Sequence, residues 1–225
     1  MATDRFSIQL KLDHFKVYKQ YNPTEPRSVR VQGQFDKIQV PAKLDHMDYF
    51  ANPVSKNGSQ IINKQAHLAF YSLTQKREPR RIVILRNQFG IQKLLLGRPV
   101  YLLVPSEKIE RGSTFPKRLD HFKAYQVLEG QDVSRKVSLV DQIDKQKSVE
   151  VDRPEYFCVP VTKLYGKKPT RITNPKGHLT FYSITPKVYK VPKESKDQFG
   201  RHKLLLATSV FLGVPTLKIE WEAIG

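Results

Sequence analysis

The amino-acid sequence predicts an all-β protein built from four similar units of about 54 residues. Three short motifs carry this prediction, because each occurs four times in the same order and with nearly the same spacing. The first motif is a histidine followed four residues later by a tyrosine. The second is Gln-(Phe/Ile)-(Gly/Asp), and the third is an apolar stretch that runs into proline and then lysine. The histidines of the first motif are 53, 54 and 57 residues apart, at His14, His67, His121 and His178.

The first motif has the alternation of a strand. Phe15 and Val17 share one face, whereas His14, Lys16 and Tyr18 share the other. A period of two is typical of a strand with one buried face, and the nearby prolines and glycines disfavour a helix. The Gly or Asp of the second motif predicts a turn, and the proline of the third predicts a strand end or a sheet edge. We therefore expect about four strands in each unit and no helix.

The four units fall into two pairs. Units one and three resemble each other most closely, and units two and four share Gln-Phe-Gly-x-x-Lys-Leu-Leu-Leu. This alternation indicates that a two-unit domain was duplicated, with a boundary in the Gly- and Pro-containing segment 111–117. We expect two similar domains of the β-sandwich or barrel-like type, residues 1–112 and 113–225. A four-bladed propeller is the alternative, because four units of four strands also close.

Composition excludes several classes of protein. The 225 residues carry 39 Lys and Arg against 21 Asp and Glu, a net charge of +18, and 39% hydrophobic residues are too many for a disordered basic tail. No apolar stretch is long enough to span a membrane. The single cysteine excludes an internal disulfide framework, and the first residues lack a secretory signal. These features favour a cytoplasmic protein over a processed secreted one, and they leave the oligomeric state open.

The motifs also resemble a known domain. The order Leu-Asp-His-Phe-Lys, Asp-Gln-Phe-Gly and Val-Pro-x-x-Lys, with Asn-Pro before His-Leu-x-x-Tyr, is similar to a tandem-repeat domain of uncharacterised bacterial and archaeal proteins that are secreted or envelope-associated. The resemblance covers nearly the whole chain. It implies a repeated fold and no particular activity.

In that family each unit usually carries two cysteines, and in this chain seven of the eight positions hold other residues. If the family joins these positions as disulfides, the resemblance implies that each pair is still in contact, with Cα atoms about 4.4–6.8 Å apart. It also implies that Phe181 fills the space beside Gly213. The four pairs are Val17 with Ala51, Phe70 with Leu103, Ala124 with Cys158, and Phe181 with Gly213.

The repeated histidines and tyrosines are the first candidates for chemistry. His and Tyr on one face of a strand could bind a metal or exchange protons. A structural role is favoured, because no Asp or Glu recurs beside them in all four units. Cys158 lies between apolar neighbours, which favours an inert buried thiol. We therefore expect no catalysis, no metal and no cofactor.

Basic segments are the remaining functional signal. They lie at 76–86, 163–171 and 187–193, and in the last two segments the cations are interleaved with a tyrosine. Cations contact phosphates and aromatic rings stack on unpaired bases, so this composition suits a polyanion, although a charged surface also maintains solubility. The candidate residues are Arg77, Arg80, Arg81, Arg86, Tyr165, Lys167, Lys168, Arg171, Lys187, Tyr189, Lys190 and Lys193.

These observations predict a non-catalytic structural or binding module that docks onto an anionic macromolecule or a larger protein assembly through a basic β surface. The alternative is a nucleic-acid-binding accessory protein associated with RNA or a ribosome. The basic segments of units two and four occupy equivalent places after the first strand of each unit. We therefore expect them to form loops that present two matching basic patches.

Overall fold

The structure, a computed structural model, describes residues 5–224 with the side chain of Lys168 excepted. Its twelve strands belong to one antiparallel sheet, which confirms the all-β prediction. One short helix precedes them, where the sequence predicted none. The elements are α1 (Arg5–Leu10), β1 (His14–Gln20), β2 (Arg27–Gly33), β3 (Val40–Lys56), β4 (His67–Gln75), β5 (Arg80–Asn87), β6 (Gly90–Lys108), β7 (His121–Glu129), β8 (Arg135–Val140), β9 (Lys145–Tyr165), β10 (Lys168–Thr170), β11 (His178–Asp197) and β12 (Gly200–Ile224).

Eight strand segments close into a ring, which we call the central ring. Each segment is paired with two neighbours in the order β1, β3, β4, β6, β7, β9, β11, β12 and back to β1. Each predicted unit contributes two segments, one from its first motif and one from its third. The long strands β3, β6, β9 and β12 belong to the ring with their middle residues, because their first residues form outer hairpins and their last residues pair with an outer strand of another unit.

The pairs implied by the family resemblance face each other in the central ring, so this geometric prediction is confirmed. All four pairs are direct partners across a ladder. Directly opposed residues of antiparallel strands have Cα atoms about 4.5–5.5 Å apart, within the range of a disulfide. A Cβ atom added at Gly213 would lie 2.5 Å from Cε1 of Phe181. Phe181 therefore occupies the space beside that glycine, as expected.

The prolines of the third motif do not end their strands. Strand β3 continues through Pro53 to Lys56, and β6, β9 and β12 also continue past their prolines. Pro53 is paired with Phe15 of β1, whereas the ladder between β3 and β4 ends at Ala51. On the side that faces β4, the missing N–H group of the proline therefore interrupts no ladder hydrogen bond. The prediction of a strand end was wrong, and that of a local sheet edge is confirmed.

Four hairpins lie outside the central ring and connect units that are two apart in the chain. Strand β2 pairs with the end of β9, and β8 pairs with the end of β3. In the same way β5 pairs with the end of β12, and the later part of β11 pairs with the end of β6. The ladders therefore cross the boundary predicted near residue 112. The division into two halves stays a prediction about the sequence duplication.

The interior of the ring is apolar, and its two ends differ. Phe15, Val17, Phe70, Ala124 and Phe181 belong to one buried cluster inside the ring. Four aromatic side chains close one end in a cycle, with neighbouring ring centroids 5.4 to 5.6 Å apart in edge-to-face contact. The other end lies beside α1. The four aromatic residues are Tyr49, Tyr101, Tyr156 and Phe211.

Candidate polyanion-binding groove

The repeated histidines are buried and hydrogen-bonded. The amide nitrogen of Gln88, from the second motif, lies 2.9 Å from Nε2 of His14, and that of Gln198 lies 3.1 Å from Nε2 of His121. Burial lowers the pKa of His67 and His121 to about 3 and that of His178 to about 4, so these three rings are neutral at pH 7. Further contacts join Gln34 to His178, and His67 to Asn52 at 3.1 Å.

The repeated tyrosines hold the outer hairpins on the central ring. Tyr18 donates to Asp141 at 2.8 Å, and Tyr71 donates to Asp197 at 2.7 Å. Both acids lie at or next to the second-motif turn of the unit two further along the chain. Within residues 5–224 no three His, Cys, Asp or Glu side chains are grouped as a metal site. Cys158 is completely buried, and burial raises the pKa of its thiol.

A buried ion cluster surrounds Lys123, which has no solvent exposure. Its Nζ contacts Asp36 at 2.7 Å and Glu78 at 2.9 Å. Glu78 also accepts a hydrogen bond from Tyr125 at 3.1 Å and forms an ion pair with Arg81 at 2.8 Å. The two cations and two carboxylates balance, and we call this group the Lys123 cluster.

An equivalent cluster surrounds Lys16, which is also fully buried. Its Nζ donates to the hydroxyl of Tyr189 at 3.0 Å, and that hydroxyl donates to Asp144 at 2.7 Å. Lys187 contacts the same carboxylate of Asp144 at 2.7 Å. Burial lowers the pKa of Lys16, while Asp141 and Asp144 partly oppose that effect. We call this group the Lys16 cluster.

Three of the candidate residues are therefore engaged in contacts within the protein. Arg81 is 3% exposed and belongs to the Lys123 cluster. Lys187 and Tyr189 belong to the Lys16 cluster and lie within strand β11, where the sequence predicted a loop. Because β11 pairs with β12 along this stretch, units two and four do not present matching basic loops.

Arg77 and Arg80 line a groove of about 910 Å³ together with Lys76 and Arg98. All four side chains are exposed, and no carboxylate of the described residues forms an ion pair with any of them. Glu78 is the one acid in the lining, and it is already bound to Lys123 and Arg81. The groove between the β4–β5 turn and the β6 segment 97–99 is therefore a concentrated cationic surface, which we call the basic groove.

Sequence reasoning missed Arg98. It is a single arginine between Gly97 and Pro99, outside the basic segments. It reaches the groove because β4 and β6 are neighbours in the central ring. Nothing in its local sequence signals this position.

The other candidates lie away from the lining of the basic groove. Arg86 is exposed on β5, Arg171 follows β10, and Lys190 and Lys193 lie on β11. Tyr165 packs edge-on against Phe199 with centroids 5.0 Å apart. The side chain of Lys168 lies outside the described residues. A second depression shares Thr74 with the groove and reaches Arg30 and Gly166, next to Lys167.

A family model described as a repeat of unknown function, DUF7450, matches residues 67–215. The chain belongs to the DUF7450 repeat family. The match runs from the first motif of unit two to the third motif of unit four. The central ring also includes β1 and β3, which precede the matched residues. No curated protein and no solved structure matched the chain.

Proposed function

We propose that this protein is a non-catalytic binding module that docks onto an anionic macromolecule through the basic groove. The observation that carries the proposal is the group of four exposed cations, Lys76, Arg77, Arg80 and Arg98, in one concave site without an available acid. A concave surface of one charge attracts ligands of the opposite charge. Three of the four cations are arginines, whose planar groups bind phosphate or carboxylate through two hydrogen bonds.

The lining of the groove favours recognition by charge. Its residues include no aromatic side chain, and stacking on unpaired bases needs exposed aromatic rings. Tyr189 is bonded to Asp144 and Tyr165 packs on Phe199. The alternative, an accessory protein on RNA or a ribosome, would therefore contact phosphates rather than bases. The absence of catalysis remains part of the proposal, supported by the engagement of the repeated His and Tyr side chains in internal hydrogen bonds.

The resemblance to secreted or envelope-associated proteins with paired cysteines is also kept as a proposal. Its support is that all four implied pairs face each other in the ring. In relatives that retain both cysteines, a disulfide at such a pair would join two neighbouring segments of the ring. In this chain apolar packing takes that place.

The test is a binding titration with three labelled probes, namely polyphosphate, duplex RNA and polyglutamate, at several salt concentrations. We expect affinity for a phosphate-bearing probe to fall steeply with salt, because bound counterions are released. The double variant Arg77→Glu and Arg80→Glu should weaken binding by about tenfold or more and flatten the salt dependence.

The matched control is Lys136→Glu with Lys147→Glu, which changes the net charge equally at exposed positions of β8 and β9. It should have a much smaller effect. Equal effects of the two double variants would show that diffuse charge, and not the groove, binds the probe. Failure of all three probes at low salt would remove the proposal, and binding of RNA alone would favour the nucleic-acid alternative.

A further inference from the structure

A further cavity, of about 1000 Å³, lies at the end of the central ring that is opposite the four aromatic residues. It is bordered by the segments that precede the first motifs, together with residues from the end of α1. We call it the mouth pocket. Its volume lies at the upper end of the range typical of small-molecule sites, and the mouths of closed sheets are common positions for such sites.

The floor of the mouth pocket is apolar. Leu10, Leu12 and Phe122 belong to the cluster that fills the ring, and Leu119 and Leu217 pack against it half-buried. At the margin Ile62 is 48% exposed. An apolar chain entering here would extend the interior of the ring toward solvent.

The rim of the pocket is cationic. Lys11, Lys117, Arg118 and Lys176 are all exposed, and no carboxylate of the described residues forms an ion pair with any of them. Lys11 and Arg118 occupy equivalent places before the two Leu-Asp-His-Phe-Lys segments. Both have a left-handed backbone, with φ of 49° and 58°. This conformation is uncommon for such residues, and it fixes where the two side chains leave the backbone.

The two acids in the lining do not neutralise that rim. Asp13 and Asp120 are only 4% and 5% exposed. Asp13 accepts hydrogen bonds from the backbone N–H groups of Ile62 and Asn63 at 2.6 and 2.9 Å. Asp120 accepts equivalent bonds from the N–H groups of residues 173 and 174, both at 2.8 Å. Their carboxylates therefore hold the bordering loops in place.

We propose that the mouth pocket binds a single-chain amphiphilic anion. Its carboxylate or phosphate head lies among the rim cations, and its hydrocarbon tail lies on the apolar floor. Charge complementarity selects the head, because the rim has four free cations and no free acid among the described residues. Burial of apolar surface retains the tail, and each further buried methylene strengthens binding by about three- to fourfold. This site is distinct from the basic groove, and the proposal does not rest on the proposed function.

The experiment measures binding of four twelve-carbon probes by calorimetry, each below its micelle concentration. The probes are dodecanoate, dodecyl phosphate, dodecanol and dodecyltrimethylammonium. We expect one or both anions to bind, dodecanol to bind at least about tenfold more weakly, and the cation not to bind. The two anions identify the preferred head group. Shortening the carboxylate to eight carbons should weaken binding strongly.

Two sets of variants locate the site. Lys11→Asn with Arg118→Asn removes two rim charges and introduces asparagine, which tolerates a left-handed backbone. This variant should weaken anion binding by about tenfold and leave the binding of dodecanol unchanged. Leu119→Gln should weaken the anions and dodecanol alike. The matched control for charge is Lys136→Asn with Lys147→Asn, and Arg77→Glu with Arg80→Glu should leave amphiphile binding intact.

The wild-type comparison among the four probes needs no variant, so it decides the matter even where a substitution impairs folding. Absence of binding by both anions would overturn the proposal. So would equal binding of the cationic probe, or affinity that the rim variant does not change.

Discussion

Lys16 and Lys123 occupy the same position in the first motif of units one and three, and both are fully buried, yet they are neutralised differently. Lys123 contacts two carboxylates directly, from Asp36 and Glu78. Lys16 donates to the hydroxyl of Tyr189, and Asp144 lies one hydrogen bond further away. In the second case Lys187 supplies the direct ion pair to that acid.

The comparison shows that the position in the repeat determines that the lysine is buried, whereas other units determine which groups neutralise its charge. Both lysines lie on the outer face of the ring, where an outer hairpin covers them. The partners come from chain segments that differ between units two and four, the short β4–β5 turn in one and the continuous strand β11 in the other. The same buried ammonium group is thus neutralised in two different ways within one fold. Replacing the two lysines should therefore cost different amounts of stability.

The largest effect is expected for Lys123→Met. It leaves Asp36 and Glu78 nearly buried, with side chains 3% and 10% exposed, and only Arg81 as counter-charge. Breaking a buried ion pair on one side costs about 3–5 kcal/mol. Urea unfolding should show this loss, whereas the control Lys43→Met, at the exposed pair with Asp45, should cost less than about 1 kcal/mol. A loss below 1 kcal/mol for Lys123→Met would contradict the cluster's role.

A smaller effect is expected for Lys16→Met, about 1–3 kcal/mol. After this substitution Asp144 keeps its ion pair with Lys187, and Asp141 keeps the hydrogen bond from Tyr18. The same unfolding measurement applies. If Lys16→Met costs as much as Lys123→Met, the direct contacts do not explain the difference between the two clusters.

The third prediction extends the comparison to Lys163, which is 1% exposed and whose Nζ has no hydrogen-bond partner. It lies over the rings of Phe199 and Tyr165, at 5.3 and 5.9 Å from their centroids. Burial lowers its pKa to about 8 from 10.5, although Asp197 partly opposes the shift. Between pH 8 and 10.5 the unfolded chain therefore holds this proton more tightly than the folded chain, and stability should rise with pH.

Lys163→Met should remove this contribution and stabilise the protein below pH 8 by on the order of 1 kcal/mol. Unfolding curves at pH 7 and pH 10 measure the change in slope. Lys218 and Lys16, whose pKa values burial also lowers, should supply part of the slope that remains. If the stability of Lys163→Met depends on pH as that of the wild-type protein does, folding does not lower the pKa of Lys163.

Much of the site lay beyond sequence reasoning for a physical reason seen on β5. Arg80 is exposed and Arg81 is buried, although both were candidates for the same surface. Side-chain alternation along the strand places the two arginines on opposite faces. Both faces are equally apolar, since one carries Ile82 and Ile84 and the other carries Val83 and Leu85. Local hydrophobicity therefore did not indicate which face packs on the ring. Arg77 lies in the β4–β5 turn and Arg80 at the first position of β5, and both were found because charge and exposure coincide there.

The sequence by itself determined the strands and the repeat, because side-chain alternation and regular spacing follow from backbone geometry over a few residues. The facing pairs, such as Ala124 with Cys158, were implied by the family resemblance. Only the tertiary structure decided how the units join. The pairing of β2 with β9 connects residues more than a hundred positions apart, and closure of the ring brings β12 back to β1. Such contacts depend on which apolar faces meet when all four units assemble. For that reason the buried clusters, the basic groove and the mouth pocket appear only in the folded chain.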